Sequence, residues 1–318
     1  MSTTPLNTLT SPFDLSDADG YFWLRANLHT HTTNSDGREE PQQRLDGYVE
    51  QGYDCLCLTD HRAITRIDTL QAPDDFVLIQ GVELHPTNPF GGQTHHFVAL
   101  NVQEDIDSQK MPPQLVIAAV LEQGGQAWLA HPHWSSVNIL RDTVPLRGLS
   151  GLEVFNTTCR CAGRGESSVH WDDWMSLENK LYPALATDDA HAPAGARRDT
   201  YQGWTMVRVR ERTVAAVLEA LQAGAAYSSE GPQIDDIQIT AHADSTPERR
   251  LAQTTVRCSP AQRIAAVSDE WGTEYHLHGE LFQEATFSVR PNARWVRFEV
   301  VGPDGRKAWS NPFDLTVL

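Results

Sequence analysis

"PPQLVIAAVLEQGGQAWLAHPH" (residues 112–133) decides how the rest of the chain is read. Proline at its start and glycine at its end mark "PPQLVIAAVLEQGG" as a helix. "QAWLAHPH" then reads as a buried strand that closes on His131 and His133, two imidazoles placed where an apolar run stops. A helix feeding a short apolar strand is one unit of an α/β fold.

The same unit recurs outward in both directions, from about residue 21 to 230. "FWLRANLH" is a strand, "PQQRLDGYVEQG" a helix entered at proline, and "DCLCLTDH" and "DFVLIQGVE" are further strands. "LSGLEVFN", "YPALATDDAH" and "GWTMVRVR" continue the series, with helices predicted at 168–180 and 211–223. Such alternation implies a parallel sheet with crossover helices and enough strands to close into a barrel. After "GAAYSSEGP" the texture becomes strands and turns, and "PDG" (303–305) between two apolar runs is a hairpin signal. The expected organisation is an amino-terminal extension (1–20), an α/β barrel (21–231) and a small antiparallel β domain (232–318). The loop 85–94, "HPTNPFGGQT", is placed to overhang a site.

Residues that are expensive to bury recur at one relative place in each unit. His29 and His31 end the first strand, Asp60 and His61 the second, Glu83 the third, His131 and His133 a later one; Glu153 lies near the end of the next, and Asp188, Asp189 and His191 end the one after. Carboxyl ends of parallel barrel strands open onto one face, so these groups converge. His29-Thr-His31 and Asp189-Ala-His191 add geometry, because residues i and i+2 of an extended segment point to the same side. Imidazole and carboxylate without clustered thiolate suit divalent Zn, Mn or Fe rather than a structural cysteine site.

Composition narrows the function. At 318 residues, 40% hydrophobic and a mean hydropathy of −0.42, the chain suits a soluble globular protein. Its amino end, "MSTTPLNTLTSPFDLSDADG", shows neither early positive charge nor an apolar core, so a cytoplasmic location and no membrane span are expected. The net charge of −17 opposes an extended nucleic-acid groove and leaves a small molecule as the partner, with a homo-oligomer compatible. Cys55 and Cys57 read as apolar strand residues of a reducing compartment.

Taken in order, "HTHTTNSDG", "LTDH", "GVE", the His96 that opens "HFVAL", "AHP" and "DDAH" resemble the motifs of the PHP (polymerase and histidinol phosphatase) metallohydrolases across roughly residues 21–230. The resemblance implies a distorted (β/α)7 barrel and a binuclear or trinuclear site. His29, His31, Glu83 and Asp189 would hold one ion, and Asp36, His61 and His191 a second. Glu83, His96 and His131 would hold the third, and Asp60 would orient a ligand from behind. The residues alone do not select His96, which opens a strand, over His95. His133 is a candidate substrate contact, Glu153 a supporting or catalytic carboxylate, and His85 and His170 read as loop or surface histidines.

A phosphoesterase acting on a small phosphorylated metabolite or nucleotide is the leading expectation. One departure stands against it: relatives often place a phosphate-gripping arginine after the His-Pro dipeptide, as in HPxR, and here Trp134 takes that position. Arg160, Arg164, Arg197 and Arg198 are the candidate replacements. "DDAH...GWTMV", "SSEGP" and the carboxy-terminal run also resemble relatives associated with carbamate and carboxylic ester hydrolysis, the second expectation. A non-catalytic metal-binding module is the third.

Overall fold

The computed structural model describes residues 8–9, 11–14, 19–87, 95–193, 199–246, 249–270 and 274–318. Residues 88–94 of the predicted overhanging loop, Arg197 and Arg198, and most of the 1–20 extension lie outside them.

The first half is a curved sheet walked in chain order: β1 (Phe22–Asn27), β2 (Cys55–Leu58), β3 (Val77–Leu84), β4 (Phe97–Leu100), β5 (Gln126–Leu129), β6 (Leu149–Asn156) and β7 (Ala184–Thr187). Pairs β1–β2, β2–β3, β5–β6 and β6–β7 are parallel. β4 departs from the expected parallel order by running antiparallel to both β3 and β5. The 12 residues between β3 and β4, 85–96, are at the lower limit for the crossover a parallel pair needs, whereas an antiparallel pair can be joined by far less chain. On the other side of β1 lie β8 (Trp204–Val209) and β9 (Ala226–Ser229), each antiparallel to its neighbour.

Helices α1 (Pro41–Glu50), α2 (Pro113–Glu122) and α4 (Ser168–Glu178) fall where the sequence places them, and α3 (Thr157–Arg160) adds one turn after β6. α5 (Val214–Gln222) covers the end of the sheet opposite the histidines, because Gln126, which opens β5, donates to the Leu218 carbonyl at 2.7 Å. Beneath the site, inward-facing Leu24, Ala26, Cys55, Cys57, Ile79, Val98 and Trp128 form one apolar core with α5. The outer core packs α2 and α4 on the sheet and takes in Trp171 and Trp174.

No ladder joins β7 to β8 among the described residues, and side chains span the gap. Thr205 Oγ1 on β8 lies 3.1 Å from both the amide nitrogen and the carbonyl oxygen of Ala186. Ser228 Oγ on β9 donates to the Ala184 carbonyl, and Asn311 Oδ1 accepts from the Ala184 amide. These hydroxyl and amide groups satisfy a buried strand edge that a ladder would otherwise satisfy.

The carboxy-terminal strands β10 (Ile234–Ala241), β11 (Ala252–Ser268), β12 (Glu274–Ser288), β13 (Trp295–Val301), β14 (Lys307–Ser310) and β15 (Phe313–Asp314) pair antiparallel with one another. β13 and β14 form the hairpin signalled by "PDG", with Gly305 at φ +83° where a side chain would be strained. β14 also pairs with β9, so one hydrogen-bonded sheet runs through both halves of the chain. Buried Arg297 on β13 adds an ion pair with Asp172 of α4 at 2.7 Å. No described helix is long and apolar enough to cross a membrane.

Candidate metal centre

Each group at the rim is fixed by backbone that continues the strands after their ladders end. Past β1, Thr30 donates its hydroxyl to the Cys57 carbonyl, and its amide donates to Thr59 Oγ1. The same Thr30 bridges Ala190 in parallel: His31 N donates to Ala190 O at 3.0 Å and Asp189 N to His29 O at 2.9 Å. The two i, i+2 pairs of the sequence therefore lie side by side, and His29, His31 and Asp189 turn into one space. Asp189 and His131 hold positive φ (+54° and +28°), a strained backbone at the positions that aim ligands inward.

Glu83 is the hub. Its side chain is only 1% exposed, yet six imidazoles approach it: His61 and His96 at 2.7 Å, His131 at 3.3 Å, His29 at 3.4 Å, His31 at 3.5 Å and His85 at 3.7 Å. A carboxylate has about four lone-pair sites and cannot serve six rings as hydrogen-bond partner. Accordingly, Glu83 Oε2, His29 Nε2, His61 Nδ1 and His85 Nε2 are buried without a hydrogen bond. His61 Nδ1 stands close to Oε2 but out of line for one.

This donor set fits divalent cations. A tetrahedral ion with bonds of about 2.1 Å has ligand-to-ligand edges of about 3.4 Å. His29 Nε2 and His31 Nε2 lie 3.3 and 2.9 Å from Asp189 Oδ1 and 3.4 and 3.5 Å from Glu83 Oε2. A second group forms where Asp36 meets His61 at 3.4 Å and His191 at 3.3 Å, and a third where Glu83 Oε1 meets His96 and His131. The far side of several rings is committed to the protein: His29 Nδ1 to Glu153 at 2.7 Å, His131 Nδ1 to Ser135 Oγ at 3.0 Å, and His191 Nδ1 to the Asp189 carbonyl at 2.7 Å. Each leaves Nε2 facing the cluster, the orientation that metal-binding histidines take.

Electrostatics without an ion agree. Burial alone would raise the Glu83 and Asp189 pKa values, but the surrounding imidazoles hold both below the carboxylate range. Burial lowers the His61 pKa, and the adjacent Asp36 and Glu83 carboxylates outweigh it, raising it to about 10. His96, desolvated, is lowered to about 4. On the rings whose pKa is raised, His29, His61, His131 and His191, a proton supplies the positive charge that a cation would bring.

The nine sequence-predicted ligands, His29, His31, Asp36, His61, Glu83, His96, His131, Asp189 and His191, lie together in overlapping groups, among them His29–His31–Glu83–Asp189, His31–Asp36–His61–His191, with His31 shared, and Glu83–His96–His131. His96 is the one of the adjacent pair that reaches Glu83; His95 Nε2 donates instead to the Asp142 carbonyl. Glu153, Asp60 and His133 do not line the cleft, which places Glu153 and Asp60 behind the cluster and removes His133 as a substrate contact. Glu153 is wholly buried behind His29, accepting also from His131 N, Thr187 Oγ1 and Asn156 Nδ2. Asp60 accepts from Thr32, Ser35 and Thr65, so it holds the loop leading to Asp36. His133 turns away, its Nδ1 on the Glu166 carbonyl. Asp188 is a buried hub that accepts from Asn27, Tyr48 and Thr157 and from three amides, 201–203.

His85, read as a loop or surface histidine, does lie in the loop after β3 but lines the cleft, stacked on His96 with ring centroids 4.0 Å apart. A histidine two residues past Glu83 was the available signal, since strand spacing turns it to the same side. The cleft encloses about 400 Å³ and is lined also by Arg38, Trp134, Thr158 and Cys159.

Fold and site together define a two-part α/β protein with a histidine- and carboxylate-rich cluster at the carboxyl ends of its parallel strands. It shares this fold with a two-domain protein containing a predicted PHP-like metal-dependent phosphoesterase from Bacteroides vulgatus, which it matches at 18% identity and a TM-score of 0.51 over 98% of this chain and 99% of that one. An amidohydrolase from Chromobacterium violaceum, solved with bound sulfate and no metal, matches at 14% identity and a TM-score of 0.39 over 54% of this chain and 89% of its own. The uncharacterized protein MJ1587 of Methanocaldococcus jannaschii is 29% identical over 145 residues, 42% of this chain and 82% of that protein. No family model matches.

Proposed function

We propose that this protein is a metal-dependent hydrolase that cleaves phosphoesters of a small molecule. The observation that carries the reading is Glu83: a buried carboxylate ringed by six imidazoles, with four of the inward-facing atoms left without hydrogen bonds. His29, His31, Glu83 and Asp189 would hold one ion, Asp36, His61 and His191 a second, and Glu83, His96 and His131 a third; Zn, Mn and Fe suit this N/O donor set. When bound, two or three such ions supply a hydroxide nucleophile near neutral pH and neutralise charge on substrate oxygens. Glu153, Ser135 and the Asp189 carbonyl keep the imidazoles turned inward. The apolar core beneath the cluster closes the cleft to water from below. A cleft of about 400 Å³ takes a small molecule rather than a polymer.

A second reading is hydrolysis of a carboxylic ester, carbamate or amide at the same centre. Trp134 favours it, because an indole stands in the cleft wall at the position where a phosphate-gripping arginine is expected.

The test is the Mn- or Zn-loaded protein assayed against aryl phosphate mono- and diesters beside aryl acetate and aryl carbamate, with His61→Ala as the blank. Turnover of the phosphates, lost in the variant, supports the proposal; turnover of carbonyl substrates alone replaces it with the second reading.

A further inference from the structure

Arg38 is a cation at the mouth of the cleft whose guanidinium no other described residue engages. Its side chain is exposed and lines the cleft, and it pairs with no carboxylate among the described residues, in a chain where acids outnumber bases 42 to 25. Its root, in contrast, is firmly held. Arg38 N donates to the His191 carbonyl at 2.7 Å, and Thr33 N donates to the Glu39 carbonyl at 2.9 Å. Gly37 beside it approaches the His31 backbone so closely that a Cβ would stand 2.5 Å from the carbonyl carbon. Fully buried Arg44 ties the same turn together, donating to the carbonyls of His31 and Ala192 and pairing with Glu39 at 2.8 Å. The Arg38 backbone is therefore fastened to both segments that carry His31 and His191, while its guanidinium stays unengaged.

Arg160 and Arg164, the described arginines among those proposed from the sequence, are occupied. Arg160 pairs with Glu230 at 3.3 Å, and Arg164 donates to Ser136 Oγ at 2.7 Å and toward the His133 carbonyl. Trp134 packs edge-on against His96 and His131, so the aromatic wall lies beside the third ligand group, whereas Arg38 is tied to the backbone of the second.

We infer that Arg38 grips the substrate's phosphoryl group, donating to its non-bridging oxygens from the Asp36–His191 side of the cleft and replacing the arginine absent at Trp134. A guanidinium presents a planar fork of N–H donors with a permanent charge, which matches two phosphate oxygens at once; an ammonium does not reproduce the fork. The inference rests on the phosphoester reading and specifies what that reading leaves open, the source of anion recognition.

The test compares metal-loaded wild type with Arg38→Ala and Arg38→Lys, using inorganic phosphate as the calorimetric probe, KM and kcat for an aryl phosphate, and metal content by elemental analysis. Loss of a charge-assisted contact predicts phosphate binding and KM weakened by about 10- to 100-fold in Arg38→Ala, with partial recovery in Arg38→Lys. Metal content stays at the wild-type level. Equal phosphate affinity in wild type and Arg38→Ala overturns the inference, as does loss of metal in step with loss of phosphate, which would make Arg38 a prop for the ligand loop. A wild type that binds no phosphate overturns both inference and reading. One that binds phosphate through Arg38 yet hydrolyses only carbonyl substrates overturns the reading and leaves the anion site standing.

Discussion

Replacing Glu153 by glutamine changes one atom and tests the whole supporting layer of the site. All four polar neighbours of this wholly buried carboxylate act as donors: His29 Nδ1 and Thr187 Oγ1 at 2.7 Å on one oxygen, His131 N at 2.9 Å and Asn156 Nδ2 at 3.0 Å on the other. An amide nitrogen placed on either side faces two donors, so two hydrogen bonds to a charged acceptor are lost. At about 1.5–3 kcal/mol for each, the cost is about 3–6 kcal/mol. With an unfolding entropy of about 2 cal/mol/K per residue, a cooperative transition of the whole chain falls by about 4–9 °C. With the nitrogen on the His29 side, that ring also loses the acceptor that keeps Nε2 facing the cluster, which would weaken metal binding by about 10- to 100-fold. The assay is a melting scan of metal-free and metal-loaded protein together with a competitive chelator titration. A Glu153→Gln protein that melts and binds metal as wild type does would refute the reasoning and make Glu153 a passive core residue.

Three further outcomes follow from the geometry. In metal-free protein, burial lowers the pKa values of His29, His61, His131 and His191 but their carboxylate partners raise them further, whereas His31, His95, His96 and His170, which are lowered, are neutral in both folded and unfolded states above about 6.5 and add no slope there. Groups raised in the folded state stabilise it fully below the unfolded value of about 6.5 and lose that contribution as pH climbs through the folded values. The metal-free melting temperature should therefore fall from about pH 6.5 toward 10, while the stabilisation added by Zn or Mn rises as protons leave; parallel pH curves with and without metal would contradict this. Gly37→Ala puts a methyl 2.5 Å from the His31 carbonyl and should lower Mn or Zn content at the Asp36 group, measured by elemental analysis against Gly163→Ala, where the site is open but φ is +72°. Thr205→Val leaves the buried Ala186 amide and carbonyl unpaired, at about 2–6 kcal/mol in all, and should speed hydrogen exchange at Ala186 and raise denaturant sensitivity; unchanged exchange would show that another group closes the sheet.

The sequence by itself determined the alternation of strands and helices, because proline starts, glycine stops and short apolar runs are local signals. It also determined the convergence of ionisable groups at strand ends, since i, i+2 spacing and strand polarity are properties of consecutive residues. His29, His31, His61, Glu83, His131, Asp189 and His191 were legible in this way. Tertiary structure decided the rest. His96 opens its strand and still joins the cluster because β4 runs opposite to its neighbours, a direction set by pairing with β3 and β5. The sequence leaves Glu153 open between a supporting and a catalytic carboxylate, and only its depth behind His29 shows that it is turned to hold other residues in place. His85 enters the cleft by stacking on His96, a residue whose position depends on that same reversed strand. Arg38 is one of many arginines until the fold shows which of them already have partners. The closure by Thr205 and Ser228 is equally nonlocal, because a hydroxyl reveals its acceptor only when two distant strands are brought side by side. Strand direction, depth and partnership are set by contacts between residues far apart in the chain, and no local pattern encodes them.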